Sequence, residues 1–99
     1  MNAKITIPRD RIAQFCLQNR IRKLALFGSV LREDFQPDSD VDVLVEFYPE
    51  YVPGLSFFRM QRELSQILGR KVDMNTPQDL SQYYRDKVLT EAEVFYDAA

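Results

Sequence analysis

Hydrophobic residues recur along this chain in two patterns. A spacing of three to four residues predicts a helix, and alternation with polar residues predicts a strand. Apolar residues recur at helical spacing from Pro8 to Leu17 and again from Leu55 to Leu68, where a glycine follows. Between these segments, Lys23 to Phe27 is a short apolar run typical of a buried strand, and Val41 to Phe47 alternates like a half-buried strand. This part of the chain therefore predicts the order helix, strand, strand, helix.

The last third of the chain predicts shorter elements. Residues 70–75 form a brief segment that favours a strand, and residues 78–92 favour either one helix or two short ones. Of the adjacent Tyr83 and Tyr84 in that region, we expect one in the core and one at the surface. Residues 94–96 favour a final edge strand.

Length and composition restrict both the size of the fold and its chemistry. With 99 residues and no repeat or linker, the whole chain, residues 1–99, is expected to form a single domain. It contains no histidine and one cysteine, Cys16, which excludes histidine-activated nucleophiles and zinc sites built from imidazole or thiolate groups. Carboxylates, lysines and tyrosines are left for catalysis, and Mg²⁺ or Mn²⁺ is the metal that suits them.

Cysteine content and charge bear on location and partners. A single cysteine forbids an intramolecular disulfide, and the N-terminal residues are charged where a signal peptide is apolar. No apolar run approaches the roughly 18 residues of a membrane span. Thirteen basic and fifteen acidic residues give a formal charge of −2, which disfavours nucleic-acid binding. We therefore expect a cytoplasmic protein that is neither exported nor embedded in a membrane.

Three aspartates are the strongest candidates for chemistry. Asp40 and Asp42 stand two residues apart at the start of the alternating strand, so both side chains are expected on the face opposite the valines. Like charges held together favour a divalent cation between them. Asp73 lies among apolar residues on a later predicted strand and joins the pair if the two strands are neighbours. Such a trio suits metal-dependent nucleotidyl transfer, whereas the alternative is three solvated residues at strand edges.

A Gly-Ser pair lies directly after the first predicted strand. The missing Cβ of Gly28 lets a phosphate approach the backbone, and the amides and hydroxyl that follow at Ser29 can donate to it. Ten residues separate this pair from Asp40. Within that interval, Arg32 is either a ligand of a triphosphate or a surface arginine paired with one of the two acidic residues that follow it.

The order of these motifs resembles the minimal nucleotidyltransferase family of the DNA polymerase β superfold. The resemblance rests on Leu26 to Ser29, on Ser39 to Phe47 and on Leu68 to Asp73, and it covers nearly the whole chain. It implies an α/β (α+β) fold, a mixed β-sheet with helices packed on it. Many members have Arg-Gly-x-Ala after the Gly-Ser pair, whereas this chain has Arg32-Glu-Asp-Phe35, so we expect a differently shaped loop before the aspartates.

The resemblance also implies roles for the candidate residues. The nucleotide-binding residues are Gly28, Ser29 and Arg32, and the catalytic and metal-binding residues are Asp40, Asp42 and Asp73. ATP is the implied substrate and Mg²⁺ or Mn²⁺ the implied metal, while Asp73 helps to orient or deprotonate the attacking hydroxyl. Members of the family resemble antitoxins of HEPN ribonuclease toxins and transfer AMP from ATP to a tyrosine of the toxin. The implied activity is that of a protein adenylyltransferase.

Two other functions remain open at this point. In the first, the chain neutralises its partner by steric occlusion alone, as a binding antitoxin without catalysis. In the second, it transfers a nucleotide to a small molecule or an RNA, with a separate chain completing the pocket. Because 99 residues supply a metal platform and little more, we favour an acceptor protein that brings its own surface.

Overall fold

The computed structural model describes residues 5–98 of the chain. Its strands are β1 (Ile21–Phe27), β2 (Val41–Phe47), β3 (Val72–Asn75) and β4 (Glu93–Asp97). Its α-helices are α1 (Arg9–Gln18), α2 (Ser56–Leu68) and α3 (Arg85–Glu91), and short 3₁₀ turns occupy Gly28–Leu31 and Pro77–Asp79. These elements are the parts from which the sheet and its two faces are built.

The four strands form one mixed sheet in the order β3-β2-β1-β4. Strand β1 pairs antiparallel with both β2 and β4, whereas β2 and β3 run parallel to each other. A parallel pair needs a long crossover connection, which α2 provides here. The sheet is therefore mixed and carries packed helices, as the family resemblance implied, and β4 lies at its edge, as the sequence pattern predicted.

Helices α1 and α2 pack on one face of the sheet, where the main core lies. The valines of β2 supply alternate core positions, while the residues between them point to the other face. The stripe of α2 joins them, because Met60 and Leu64 are fully buried there. The buried residues of this core are Ile12, Phe15, Cys16, Ile21, Leu24, Leu26, Val30, Leu31, Val41, Val43, Val45, Met60, Leu64, Val72 and Met74.

A smaller apolar cluster covers part of the opposite face. Phe27 at the end of β1 and Leu44 on β2 are buried together with Leu80, and Val88 and Ala92 pack against them. Val88 lies on α3, and Ala92 follows the last residue of that helix and donates its amide to the Val88 carbonyl at 2.9 Å. The apolar cluster holds α3 over the end of the sheet at which β1 finishes.

The end of α1 is tied to α2 by a buried side chain. Asn19 is buried, and its side-chain amide donates to the carbonyl of Phe15 at 2.8 Å. Arg20 then adopts a left-handed backbone with φ of 59°, which stops the helix. The Arg59 guanidinium of α2 donates to the Asn19 side-chain oxygen at 3.1 Å. One polar residue therefore both ends α1 and fixes its distance from α2.

The predicted elements agree with the structure to within two residues at each end, and β2 coincides with its prediction. Residues 78–92 contain short pieces rather than one helix, which is the second of the two alternatives. The expectation for the adjacent tyrosines is wrong, because Tyr83 is 91% exposed and Tyr84 47% exposed. Both precede α3, in a turn from which only Leu80 reaches the smaller cluster. None of the helices described here has the length and apolar character that crossing a bilayer requires.

Candidate active site

Three strand ends bring the candidate residues together at one end of the sheet. Strand β1 runs toward this end and leads into Gly28, whereas β2 and β3 begin there. Asp42 is paired with Phe27 on one side and with Asp73 on the other. Directly paired residues point to the same face, so the two carboxylates share the face opposite α1 and α2. The condition that β2 and β3 be neighbours, on which the role of Asp73 depended, is met.

Gly28 and Asp42 lie so close together that a side chain at position 28 would displace the Asp42 carboxylate. The backbone of Gly28 has φ of +77°, in the region that side chains with a Cβ rarely adopt. A Cβ placed there would lie 2.4 Å from the Asp42 Oδ2 atom. The glycine therefore leaves room for the carboxylate and exposes its own backbone beside that carboxylate.

The electrostatic environment of Asp42 opposes its negative charge. Burial is the main cause that raises the pKa of the Asp42 carboxyl, and the charges of Asp73 and then Asp40 raise that pKa further. The charge of Arg32 lowers it. Asp42 is half-buried, while Asp40 and Asp73 are exposed. A hard divalent cation bound by these oxygens would remove the repulsion, so the donor set fits Mg²⁺ or Mn²⁺.

The three aspartates interact but do not converge on one point. Among residues 5–98, no three histidine, cysteine, aspartate or glutamate side chains are arranged as a ready-made metal site. Asp40 precedes the first residue of β2, and Asp73 is the second residue of β3, so each exposed side chain is free to turn toward Asp42. A cation held by all three would require that turn.

Ser29 and Arg32 lie in the turn that follows β1. The amide of Arg32 donates to the carbonyl of Ser29 at 2.9 Å, which closes the 3₁₀ turn. The Arg32 Nε atom lies 3.4 Å from an Asp34 carboxylate oxygen, as the surface-pair alternative predicted. Exposed pairs of this kind contribute roughly 0–1 kcal/mol, so the arginine is not committed to that partner. Because its charge also acts on Asp42, Arg32 lies within electrostatic reach of the aspartates.

Arg70 fastens the loop of residues 32–40 to the start of β3. Its Nη1 atom donates to the carbonyl of Pro37 at 3.0 Å, and its guanidinium carbon lies 5.1 Å from the centre of the Phe35 ring. The first amide of β2 donates to the carbonyl of Lys71 at 2.9 Å. The loop that carries one aspartate is thus attached to the strand that carries another. No motif in the sequence identified Arg70. Its two partners, a backbone carbonyl and an aromatic ring, lie in a loop far from it along the chain.

A cavity of about 420 Å³ opens beside Gly28. Leu31 and Arg32 line it from the turn after β1, and Lys87 and Glu91 line it from α3. The sequence motifs did not include the two α3 residues, which reach this site only because α3 packs across the end of the sheet. Their spacing of four, which puts both on one side of a helix, is the only signal of them in the sequence.

Cys16 takes no part in this chemistry. It is fully buried in the main core, and burial raises the pKa of its thiol to about 12. A buried thiol that keeps its proton is a poor nucleophile at neutral pH. The carboxylates at the sheet end remain the candidates for catalysis.

Similarity to known proteins assigns this chain to a family. Residues 9–95 match the family model described as nucleotidyltransferase domain. The chain belongs to that family. A Methanocaldococcus jannaschii protein, provisionally named a protein adenylyltransferase, is 33% identical over 84 residues, which are 85% of this chain and 89% of the relative. The predicted enzyme class, a nucleotidyltransferase, is confirmed.

Solved structures agree with this assignment. One, provisionally described as a minimal nucleotidyltransferase, is 32% identical with a TM-score of 0.70 and is matched over 85% of each chain. Another is a complex of tri-AMPylated Shewanella oneidensis HEPN toxin with an MNT antitoxin. It shares the fold, with a TM-score of 0.65 and 19% identity over 90% of this chain and 69% of that chain. The predicted minimal nucleotidyltransferase family and its polymerase β-like fold are confirmed.

Arg70→Ala is expected to slow nucleotidyl transfer about tenfold and to lower the free energy of unfolding by about 1 kcal/mol. The substitution removes the hydrogen bond to Pro37 and the contact with Phe35, so the loop that leads to Asp40 is held less firmly to the start of β3. Initial rates over a range of Mg²⁺ concentrations and a urea unfolding curve measure the two effects. Arg62→Ala, at an exposed position on α2, is the matched control. Unchanged Mg²⁺ dependence in Arg70→Ala would show that Arg70 does not position the site.

Proposed function

We propose that this nucleotidyltransferase transfers AMP from ATP to a tyrosine hydroxyl of a HEPN ribonuclease toxin and so acts as its antitoxin. The observation that carries the proposal is the carboxylate of Asp42 against the Gly28 backbone, with Asp73 paired to it on the neighbouring strand. The names of similar proteins support the acceptor. One relative is named for protein adenylylation, and one complex of the same fold contains an AMPylated HEPN toxin.

The turn after β1 is the proposed phosphate site. Gly28 lines the cavity beside this turn, and at Ser29 a half-buried hydroxyl follows directly. Backbone amides and hydroxyls donate to phosphate oxygens, and a turn directly after a strand presents both. Arg32 adds a positive charge beside the turn and is our third nucleotide-binding residue.

The three aspartates are the proposed metal ligands. Asp40, Asp42 and Asp73 would hold Mg²⁺ or Mn²⁺, whose oxygen preference they match. When bound, the metal draws charge from the α-phosphate and stabilises the departing pyrophosphate. The raised pKa of Asp42 supports this role, because a neighbouring cation offsets the burial and repulsion that oppose its negative charge.

The transfer exchanges one bond to phosphorus for another. The tyrosine oxygen forms a bond to the α-phosphorus of ATP, and the bond from that phosphorus to the bridging oxygen of pyrophosphate breaks. The hydroxyl proton passes to the Asp73 carboxylate and then to water. Asp73 suits this task because it is exposed at the sheet end, where an acceptor protein and solvent both reach it. The products are AMP-tyrosine, pyrophosphate and one proton.

Radiolabelled ATP tests the proposed reaction. The chain is incubated with Mg²⁺ and the protein that co-purifies with it, using ATP labelled at either the α- or the γ-phosphate. We expect label on the partner from α-labelled ATP only, since the γ-phosphate leaves with pyrophosphate. Release of the label as AMP by a phosphodiesterase identifies the linkage. Label from γ-labelled ATP would identify a kinase instead, and no label from either would contradict the proposal.

Neutralisation by occlusion is the second candidate, and exposed apolar side chains favour it. Val52 is 83% exposed and Phe58 58% exposed, and both line one cavity with Phe57, so they form an apolar patch of the kind that a partner covers. An Asp40→Asn/Asp42→Asn variant separates the two candidates. Full neutralisation of the partner by this variant would support occlusion, whereas loss of neutralisation within an intact complex would support catalysis.

A further inference from the structure

We propose that Lys87 on α3 binds the polyphosphate tail of the nucleotide and, with Arg32, holds its β- and γ-phosphates in the cavity beside Gly28. The inference rests on the proposed function, since it takes a nucleoside triphosphate as the ligand. It adds a residue from a different element, outside the Gly-Ser and aspartate motifs. Lys87 would then make the chain bind nucleoside triphosphates more tightly than monophosphates.

The cavity has the size and position that this ligand needs. Its volume of about 420 Å³ lies within the range of small-ligand pockets, roughly 300–1,000 Å³. Gly28 lines this cavity, and the Asp42 carboxylate lies directly against the same glycine. An α-phosphate at the aspartates therefore places the rest of the polyphosphate at the mouth of this cavity.

The packing of α3 fixes where Lys87 points. Val88 lies against the smaller apolar cluster, and Arg85 at the start of the helix donates through Nη2 to the carbonyl of Leu80 at 2.9 Å. These two contacts anchor the helix on the sheet. Lys87 and Glu91, four residues apart, then line the cavity from one side of α3.

The charges of the cavity favour an anion. Lys87 and Arg32 contribute two positive charges, and Glu91 contributes one negative charge. Within the part of the chain that the structure describes, no carboxylate oxygen lies within 4.0 Å of the Lys87 ammonium group. Lys87 is also exposed, so its charge is available to a ligand without the loss of an existing ion pair. The aspartates repel the phosphate tail, and these cations attract it toward the cavity.

Calorimetric titration of the wild-type chain and Lys87→Gln tests the assignment. The ligands are ATP, AMP and inorganic tripolyphosphate, each with Mg²⁺. We expect Lys87→Gln to bind ATP and tripolyphosphate about tenfold more weakly and to bind AMP unchanged. Lys87→Arg keeps the charge and is expected to stay within about twofold of the wild type for all three ligands. Arg62→Gln removes one exposed positive charge from α2 and serves as the matched control.

The outcomes separate this inference from the proposed function. If Lys87→Gln binds ATP as tightly as the wild type, and the wild type transfers AMP, the inference is overturned and the proposed function stands. An equal loss of ATP and AMP affinity would also overturn it, because Lys87 would then not act on the tail. If the wild type binds neither ATP nor tripolyphosphate, both the inference and the proposed function fail.

Discussion

Asp42→Asn is expected to reduce AMP transfer at least about a hundredfold while raising the melting temperature of the chain. The loss of activity follows because asparagine removes a negatively charged ligand from the proposed metal site. The gain in stability follows because burial and the charges of Asp73 and Asp40 disfavour the ionised Asp42 side chain. A neutral amide of the same shape avoids both penalties. Initial rates and thermal unfolding without metal measure the two effects.

The stability difference depends on pH with a definite sign. The pKa of Asp42 in the folded chain lies above its unfolded value, so the wild type loses stability as the pH rises through the folded pKa. Asp42→Asn has no such titration. The advantage of the variant is therefore largest at neutral pH and disappears in acid, where the wild-type carboxyl is protonated in both states.

Added Mg²⁺ is expected to favour the wild type over Asp42→Asn. A ligand that binds only the folded state stabilises it, so added Mg²⁺ is expected to raise the melting temperature of the wild type more than that of Asp42→Asn. Asp38→Asn, at an exposed position in the loop before β2, is the control for simple loss of a negative charge. If Asp42→Asn melts below the wild type at neutral pH without metal, the electrostatic account of this residue is wrong.

Gly28→Ala is expected to abolish AMP transfer at only a modest cost in stability. The new Cβ would lie 2.4 Å from the Asp42 Oδ2 atom, so the carboxylate has to turn away. That atom is the end of a side chain, and its rotation costs little. The left-handed backbone at φ of +77° adds about 1–2 kcal/mol of strain. We therefore expect a small fall in the free energy of unfolding and at least about a hundredfold fall in rate.

Gly69→Ala is a matched control for the backbone strain. Gly69 has φ of +66° at the end of α2, and a Cβ there meets nothing within 4 Å. Both substitutions are expected to destabilise the chain by similar amounts, but only Gly28→Ala should slow transfer. Urea unfolding and initial rates on both variants make the comparison. Equal activity in the two variants would show that the contact between Gly28 and Asp42 is unimportant for catalysis.

The parts of the site that depend on local order were predictable from the sequence. Val41 to Phe47 alternates so regularly that its strand boundaries are correct, and this alternation places Asp42 on the face away from the core. The Gly-Ser pair after an apolar run locates the turn at which β1 ends. Asp73 was predicted to join Asp42 on the condition that their strands are neighbours, and the helix between the two strands allows the parallel pairing that meets this condition.

The parts that depend on distant packing were not predictable. Arg70 acts on a loop more than thirty residues earlier, through a carbonyl and an aromatic ring that no residue pattern marks. Lys87 reaches the cavity only because Val88 docks on the second face of the sheet. The exposure of Tyr83 has the same origin, since the helix starts later than the apolar pattern indicates. In each case the missing information is the position of one element on another.

Intact mass spectrometry of the co-purifying partner tests the central claim most directly. The partner is incubated with ATP, Mg²⁺ and either the wild-type chain or Asp42→Asn, and its mass is then measured. The account predicts added mass in whole AMP units with the wild type, none with Asp42→Asn, and none with the wild type when a chelator removes the metal. A tight complex whose partner gains no mass with the wild-type chain would contradict it.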